Sequence, residues 1–387
     1  MSTVSTRLLI LLVLCTRSAS GLVHPPLLRA KPSSTLHAET HLDLALSLVT
    51  SGHKIDLGGP RNPLFSWPDS ELDELQWKPL IDSARKQREQ WAAAAAAHAT
   101  AAAPAEALLA ALEYAHCNAL PCDGQLWLLP DAVSLPRSAP HGASLEVCPE
   151  SGDLLLLDRE GDGQSLSSGW RSNDELMLHE GWAAEELTSE AFELPTAALA
   201  QAAAATRGDA DVYLAPERAE VLQRLRHYDY LEEQGRAGPI FSGGYCSDSL
   251  GRYLQALSLT ADELAPGAAP AEIEACALSI GEGVCLSVGH ERRVGETLAH
   301  ACDSLLAAFP TSLKDDRAAL AEAEAVAGTE GGDAGRADRL RQALRSRLSR
   351  KRCLTAVLER ARAWVERPTA AGGTLRRPWR VHVRTSG

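Results

Sequence analysis

The sequence predicts an α+β fold, with a strand-bearing first half followed by an all-helical second half. Two textures carry that prediction. Between Gln125 and Trp182 the short apolar runs Leu126–Leu129 and Leu154–Leu157 are separated by Pro, Gly and Ser, the pattern of strands and turns. From about Pro216 onward apolar residues recur at helical spacing instead, over Leu298–Ala308, Leu313–Val326 and about Ala337 to Val365. A chain of 387 residues that is 45% hydrophobic has material for two ordinary domains.

Taken in chain order, Leu42–Thr50 reads as a helix and 58–63 as a Gly/Pro loop. A second helix is predicted to open near Asp69, where Asp69 and Ser70 are good caps ahead of Leu72, Leu75, Leu80 and Ile81, and to run through the charged stretch to Trp91. The alanine stretch 92–104 either extends that helix or is a linker broken at Pro104. In the last helix Leu340, Leu344, Leu348, Leu354, Leu358 and Ala361 form one apolar stripe. Aromatics make up only 5% of the chain, so the core is expected to be thin in places. No internal repeat is visible.

Charge is unevenly spread. The net value of −13 combines a C-terminal segment from Gly335 that holds 15 Arg and Lys against 3 Asp and Glu with a strongly acidic remainder. At the other end, Arg7, the apolar run Leu8–Cys15 and the small residues Ser18, Ala19 and Ser20 have the layout of a signal peptide over residues 1–20, cleaved before Gly21. Residues 21–38 carry His24, Arg29, Lys31, Ser33, Ser34 and Thr35 with no acid, as in a transit peptide. Signal plus transit-like segment form the bipartite address of a plastid protein; secretion or an endomembrane lumen is the alternative. Nothing later approaches the ~20 consecutive apolar residues of a membrane span. The eight cysteines outside the signal peptide are scattered without a Cys-x-x-Cys pair, which favours reduced thiols.

Several chemical motifs are weighed and set aside. Asp158, Glu160, Asp162 and Gly163 resemble the first half of a calcium loop, but position twelve is Gly169, and a polar turn is the preferred reading. His290 with Glu291, and His227 among tyrosines, have no second ligand at metal spacing, so no metal is assigned. No Gly-x-Ser-x-Gly or Cys/His pairing marks a nucleophile.

One stretch carries a family likeness. Gly161–Trp182 resembles, without gaps, the SET-domain signature G-E-E-V-F-I-S-Y-G-x-K-S-N-x-E-L-L-x-x-Y-G-F, matching at Gly161, Ser167, Gly169, Ser172, Asn173, Glu175, Leu176 and Gly181. Upstream, Leu129–Ser138 stands where the family has a proline, an aspartate and then Asn-His-Ser, with Pro130 and Ser138 retained. Trp67–Arg88 looks like the family's insert helix, and Ala308–Asp316 followed by Arg339–Leu354 resembles its helical substrate-binding domain. In that order and spacing, over about residues 40–365, the chain resembles the SET-domain lysine methyltransferases of the Rubisco large-subunit methyltransferase type.

The resemblance implies a SET-like β-rich domain with a helical insert, followed by an all-α substrate-binding domain. Its expected layout is a signal peptide at 1–20, a transit-like segment at 21–38, a truncated SET-like domain at 39–190 with its insert at about 69–115, the helical domain at 200–366 and a flexible basic tail at 367–387. The glycine-rich opening strand pair of a SET domain is expected to be missing, since only a few residues separate the leader from the Leu42 helix. SET chemistry needs S-adenosylmethionine, a dry lysine channel and a tyrosine hydroxyl. The family's two tyrosine positions hold Ser168 and Glu180, and its Asn-His positions hold Pro136 and Arg137; Ser138 and Asn173 are the cofactor-site residues that carry over. A serine falls short of a phenol's reach, and a carboxylate would pair with an incoming ammonium and disfavour the neutral amine.

The resemblance therefore implies a lysine methyltransferase homologue that is catalytically impaired and acts as a protein-binding module. S-adenosylmethionine is its cofactor if active, and otherwise none. An active divergent protein-lysine N-methyltransferase is the alternative. A third reading has Arg345, Arg347, Arg350 and Lys351 bind an acidic partner or nucleic acid. Set against it is a solvated helix face that pairs with the acidic remainder of the same chain, the reading favoured over nucleic acid.

Overall fold

The computed structural model describes residues 27–30, 36–38, 40–51, 63–122, 125–128, 137–138, 144–147, 154–157, 165–168, 171–184, 187, 190–208, 215–231, 238–326 and 334–366. The chain forms two compact units, one of residues 1–73 with 80–183 and one of 74–79 with 184–387.

In the first unit the elements run β1 (Leu27–Ala30), β2 (Leu36–Ala38), α1 (His41–Thr50), α2 (Asp69–Leu72), α3 (Lys78–His98), α4 (Ala105–Asn118), β3 (Leu120–Cys122), β4 (Gln125–Leu128), β5 (Arg137–Ser138), β6 (Ser144–Val147), β7 (Leu154–Leu157), β8 (Leu166–Ser167) and α5 (Asn173–Glu180). They make two antiparallel three-stranded sheets, ordered β1-β7-β6 and β2-β4-β3, and one parallel pair, β5 with β8. Two strands precede α1, in the stretch read as transit-like: Leu27 pairs with Leu157 and Leu36 with Leu128. Strands thus lie before residue 39, although neither contains a glycine, the residue type expected of the opening pair. Strands of three and four residues among prolines and serines are too short to show a period.

Helix packing follows from small residues. Leu44, Ala45 and Leu48 of α1 meet Leu108, Ala111, Leu112 and Ala115 of α4 in a core with much alanine, as the composition predicts. The alanine run does extend α3, to His98, and Pro104 caps α4. The helix expected from Asp69 to Trp91 is broken. After α2 and a 3-10 turn (Asp73–Leu75) the backbone of Gln76 turns left-handed at φ 52°, and α3 starts only at Lys78. Pro68, not Asp69, holds the cap position; the Asp69 carboxylate instead accepts from Arg88 at 3.0 Å.

The second unit continues with β9 (Ala191–Glu193), α6 (Thr196–Arg207), α7 (Pro216–His227), β10 (Pro239–Phe241), β11 (Tyr245–Cys246), α8 (Asp248–Leu257), α9 (Pro270–Gly281), α10 (Val288–Ala308), α11 (Leu313–Val326) and α12 (Ala334–Val365). Helix thus resumes at Thr196, earlier than Pro216, and a small antiparallel sheet, β11-β10-β9, joins the helices. The axis of the core is α10 against α12, which bury Val294, Leu298 and Ala301 and Val357, Leu358 and Ala361 respectively. A Cβ at Gly295 would stand 2.8 Å from the Trp364 ring, so glycine sets how close these helices come. The predicted stripe is buried except for Leu340, which is 37% exposed.

Segment 74–79 belongs to this unit through Trp77, which stacks on Phe309 with ring centroids 6.0 Å apart and meets Phe192 edge-on at 5.6 Å. No helix among the described residues is long and apolar enough to cross a membrane. All seven described cysteines are free.

Candidate functional site

The residues that match the SET signature build α5 and its ends. Ser172 is the N-cap: its Oγ accepts from the Glu175 amide at 3.3 Å, and the Glu175 carboxylate accepts from the Ser172 amide at 2.8 Å, a closed capping box. Gly181 ends the helix at φ 73°, a conformation an L side chain resists. Between these ends Leu176 and Met177 are fully buried and Asn173 is 1% exposed. The serine, glutamate and glycine of the signature are thus explained by helix capping alone.

At the far end of α5 the Glu180 side chain lies buried. Its Oε2 accepts from Ser168 Oγ at 2.6 Å and from Trp182 Nε1 at 3.0 Å, and its Oε1 accepts from Arg171 Nη1 at 3.1 Å. The two positions singled out as tyrosine replacements therefore touch each other, and both are less than 10% exposed. Strand pairing brings a third position alongside: Ser138 lies opposite Ser167 in the parallel β5–β8 pair, next in sequence to Ser168. Pro136 lies outside the described residues, as do Asp158–Gly163, and the side chains of Arg137 and Ser138 are likewise outside them.

Sequence reasoning missed a second cluster in this unit. His41 at the start of α1, His116 near the end of α4 and His179 in the last turn of α5 come together, with the His116 ring 5.0 Å from each of the others. Trp91 and Phe65 pack edge-on against His116. No local spacing could have shown this, because each histidine sits on a different helix.

In the second unit the Arg-rich stretch of α12 is not an exposed basic face. Arg347, Arg350 and Lys351 are 4%, 2% and 2% exposed. Arg347 and Lys351 both bind the buried Asp316 carboxylate, Lys351 at 2.6 Å, and Thr311 adds a hydroxyl at 2.7 Å. Burial raises the Asp316 pKa, but the hydrogen bonds from Arg347, Lys351 and Thr311 outweigh it and hold the carboxyl below its ordinary value. The Arg350 guanidinium lies over the Trp77 ring at 4.8 Å. Arg345 alone of the four is only half-buried, and it pairs with Glu324 at 2.8 Å. The partner-binding assignment of Arg347, Arg350 and Lys351 is corrected accordingly. The alternative expected a solvated basic face, whereas Arg347, Arg350 and Lys351 are buried and Arg347 and Lys351 pair with an acid inside the unit.

His290, read by default as surface or partly buried, is fully buried and contacts Glu263 at 3.0 Å; Arg293 binds the same carboxylate, whose pKa these contacts hold far below its usual range against the opposing effect of burial. Among the described residues no group of three His, Cys, Asp or Glu stands in metal-holding geometry. An open groove of about 390 Å³ is lined by Thr206, Glu296, His300, Asp303, Arg362 and Glu366, and Arg362 pairs with Asp303 across it.

Comparison with known proteins locates this architecture. Residues 209–354 match the family model described as Rubisco LSMT substrate-binding. The structure is similar to the SET domain of LSMT bound to MeLysine and AdoHcy, with a TM-score of 0.58 and 16% identity over 88% of this chain and 83% of that one. It is also similar to Rubisco LSMT bound to AdoMet, with a TM-score of 0.57 and 17% identity over 88% and 82% of the two chains. The fold is of the SET/Rubisco LSMT type. No curated protein matches the sequence.

Proposed function

We propose that this chain is a SET-type lysine methyltransferase homologue that has kept protein binding and given up methyl transfer. The observation that carries the reading is the buried contact of Ser168 with Glu180, completed by Arg171 and Trp182. A lysine amine must be neutral to attack a methyl group, and a carboxylate at the attack point favours the ammonium instead. The match of residues 209–354 to a substrate-binding family supports a protein partner, and Rubisco is the first to try because that family carries its name.

The test is calorimetry of the purified chain with S-adenosylmethionine, followed by incubation with labelled cofactor and Rubisco. The expected outcome is no saturable heat up to millimolar ligand, co-sedimentation with the partner, and no label transferred. Saturable heat at micromolar ligand with label on lysine would establish the other reading, an active divergent protein-lysine N-methyltransferase that uses S-adenosylmethionine. Nucleic-acid binding through α12 is the weakest reading, because Arg347, Arg350 and Lys351 are spent inside the unit; it requires binding that falls steeply with salt.

A plastid is the proposed location, on the signal-like 1–20 and the basic, acid-free stretch after it. Fusing residues 1–38 to a fluorescent protein checks this. Plastid fluorescence is expected, and accumulation in the medium or the endomembrane lumen would overturn it.

A further inference from the structure

His116 is 7% exposed and packs against two further imidazoles, the half-buried His41 and the exposed His179. His116 Nε2 stands 3.2 Å from His179 Nδ1, 3.2 Å from the Gln87 amide nitrogen and 3.2 Å from the Leu178 carbonyl oxygen, while its Nδ1 is buried with no partner. One nitrogen cannot serve both the Gln87 donor and the Leu178 acceptor. If Nε2 carries the proton, the Nδ1 lone pair is orphaned; if Nδ1 carries it, that N–H is orphaned and the carbonyl loses its donor.

Neither neutral form satisfies the site, yet a second proton is also opposed. The charged groups that face the cluster are Arg171 from the loop before α5, Glu175 and Glu180 on α5, and the two other histidines. On α4 the half-buried Glu113 lies near Arg88 of α3. Both of these α5 carboxylates are already used, Glu175 in the capping box and Glu180 by Ser168, Arg171 and Trp182. Burial first, then His41, His179 and Arg171, push His116 down to about 3; burial also lowers His41 and His179.

We propose that the His41–His116–His179 cluster is a proton-operated release: an added proton drives α1, α4 and α5 apart and frees the Glu180 end of α5 from Ser168. The three helices bring one imidazole each, so charge on His116 repels both others, and charge on either of them repels His116, across 5.0 Å between rings. Glu180 follows His179 directly, so movement of the last turn of α5 reaches the Ser168 contact without an intermediary. The release holds whether or not the site transfers methyl groups.

Amide hydrogen exchange of the full chain at pH 7.5 and pH 5.0, corrected for intrinsic rates, tests it. Peptides from 105–118 and 173–180 are expected to exchange at least about tenfold faster at pH 5.0, as the displaced protonation of His116 requires, while peptides from α12 do not change. His116→Phe should remove most of that difference. Equal protection at both pH values, or an unchanged pH effect in a folded His116→Phe chain, would overturn the proposal. Should that variant not fold, imidazole carbon NMR of the parent chain decides: three histidines titrating together near 6.5 would refute it, and resonances that stay neutral until the helices open would support it.

Discussion

The two units bury titratable groups in opposite ways. In the second, Asp316 meets Arg347, Lys351 and a threonine hydroxyl, so that buried charges of opposite sign balance. In the first, the buried His116 packs against His41 and His179, groups of its own kind, and its burial holds only while it stays neutral. A balanced cluster is indifferent to pH through the neutral range; an unbalanced one is conditional. By that difference the second unit is built to stay fixed and the SET-like unit to respond.

The largest effect that would test the contrast comes from Asp316→Asn. It leaves Arg347 and Lys351 buried without their counter-charge, and breaking a buried pair in this way costs about 3–5 kcal/mol. Denaturant unfolding should show the loss in the transition of the second unit. A cost under about 1 kcal/mol would mean that water reaches these heads and that the cluster is not a fixed point.

Acid provides the next largest. A histidine whose folded pKa is depressed contributes stability that is complete above its unfolded pKa and is lost as pH falls below it. For His116, between about 6.5 in the unfolded chain and about 3 in the folded one, the loss reaches about 2 kcal/mol at pH 5. Asp316 follows the same sign in a lower window: its pKa is lowered too, so its stability is present above the ordinary carboxylate pKa and is lost as pH falls from there through its lowered folded value. The SET-like unit should therefore open first on acidification, followed by the second. A single acid transition, with both units melting together, would remove the distinction.

How much of this could be read from the sequence depended on whether the cause was local. The cap of α5 was legible, because Ser172, Glu175 and Gly181 act on backbone within one helix, and α11 begins and ends where its pattern predicted. The break at Gln76 was not, since a left-handed glutamine has no signature; its reason is the seat of Trp77 against Phe309 and Phe192. Arg347 and Lys351 were read as facing solvent because charged residues are rarely buried, and Asp316, which pairs them, lies on another helix. The histidine cluster was invisible for the same reason, with three helices supplying one member each.

The smallest prediction sharpens the comparison most. Ser172→Ala removes the side-chain half of the α5 capping box, a loss of about 1 kcal/mol confined to that helix. It touches neither the histidines nor Glu180, so it weakens α5 without altering what titrates. If the cluster releases α5 by taking up one proton, a helix weaker by that amount should open at a pH higher by about 0.7, since one pH unit is worth about 1.4 kcal/mol per proton. The acid transition of the second unit should not move. A shift in both transitions would mean that the units unfold as one, and no shift in the first would mean that α5 is not what the proton releases.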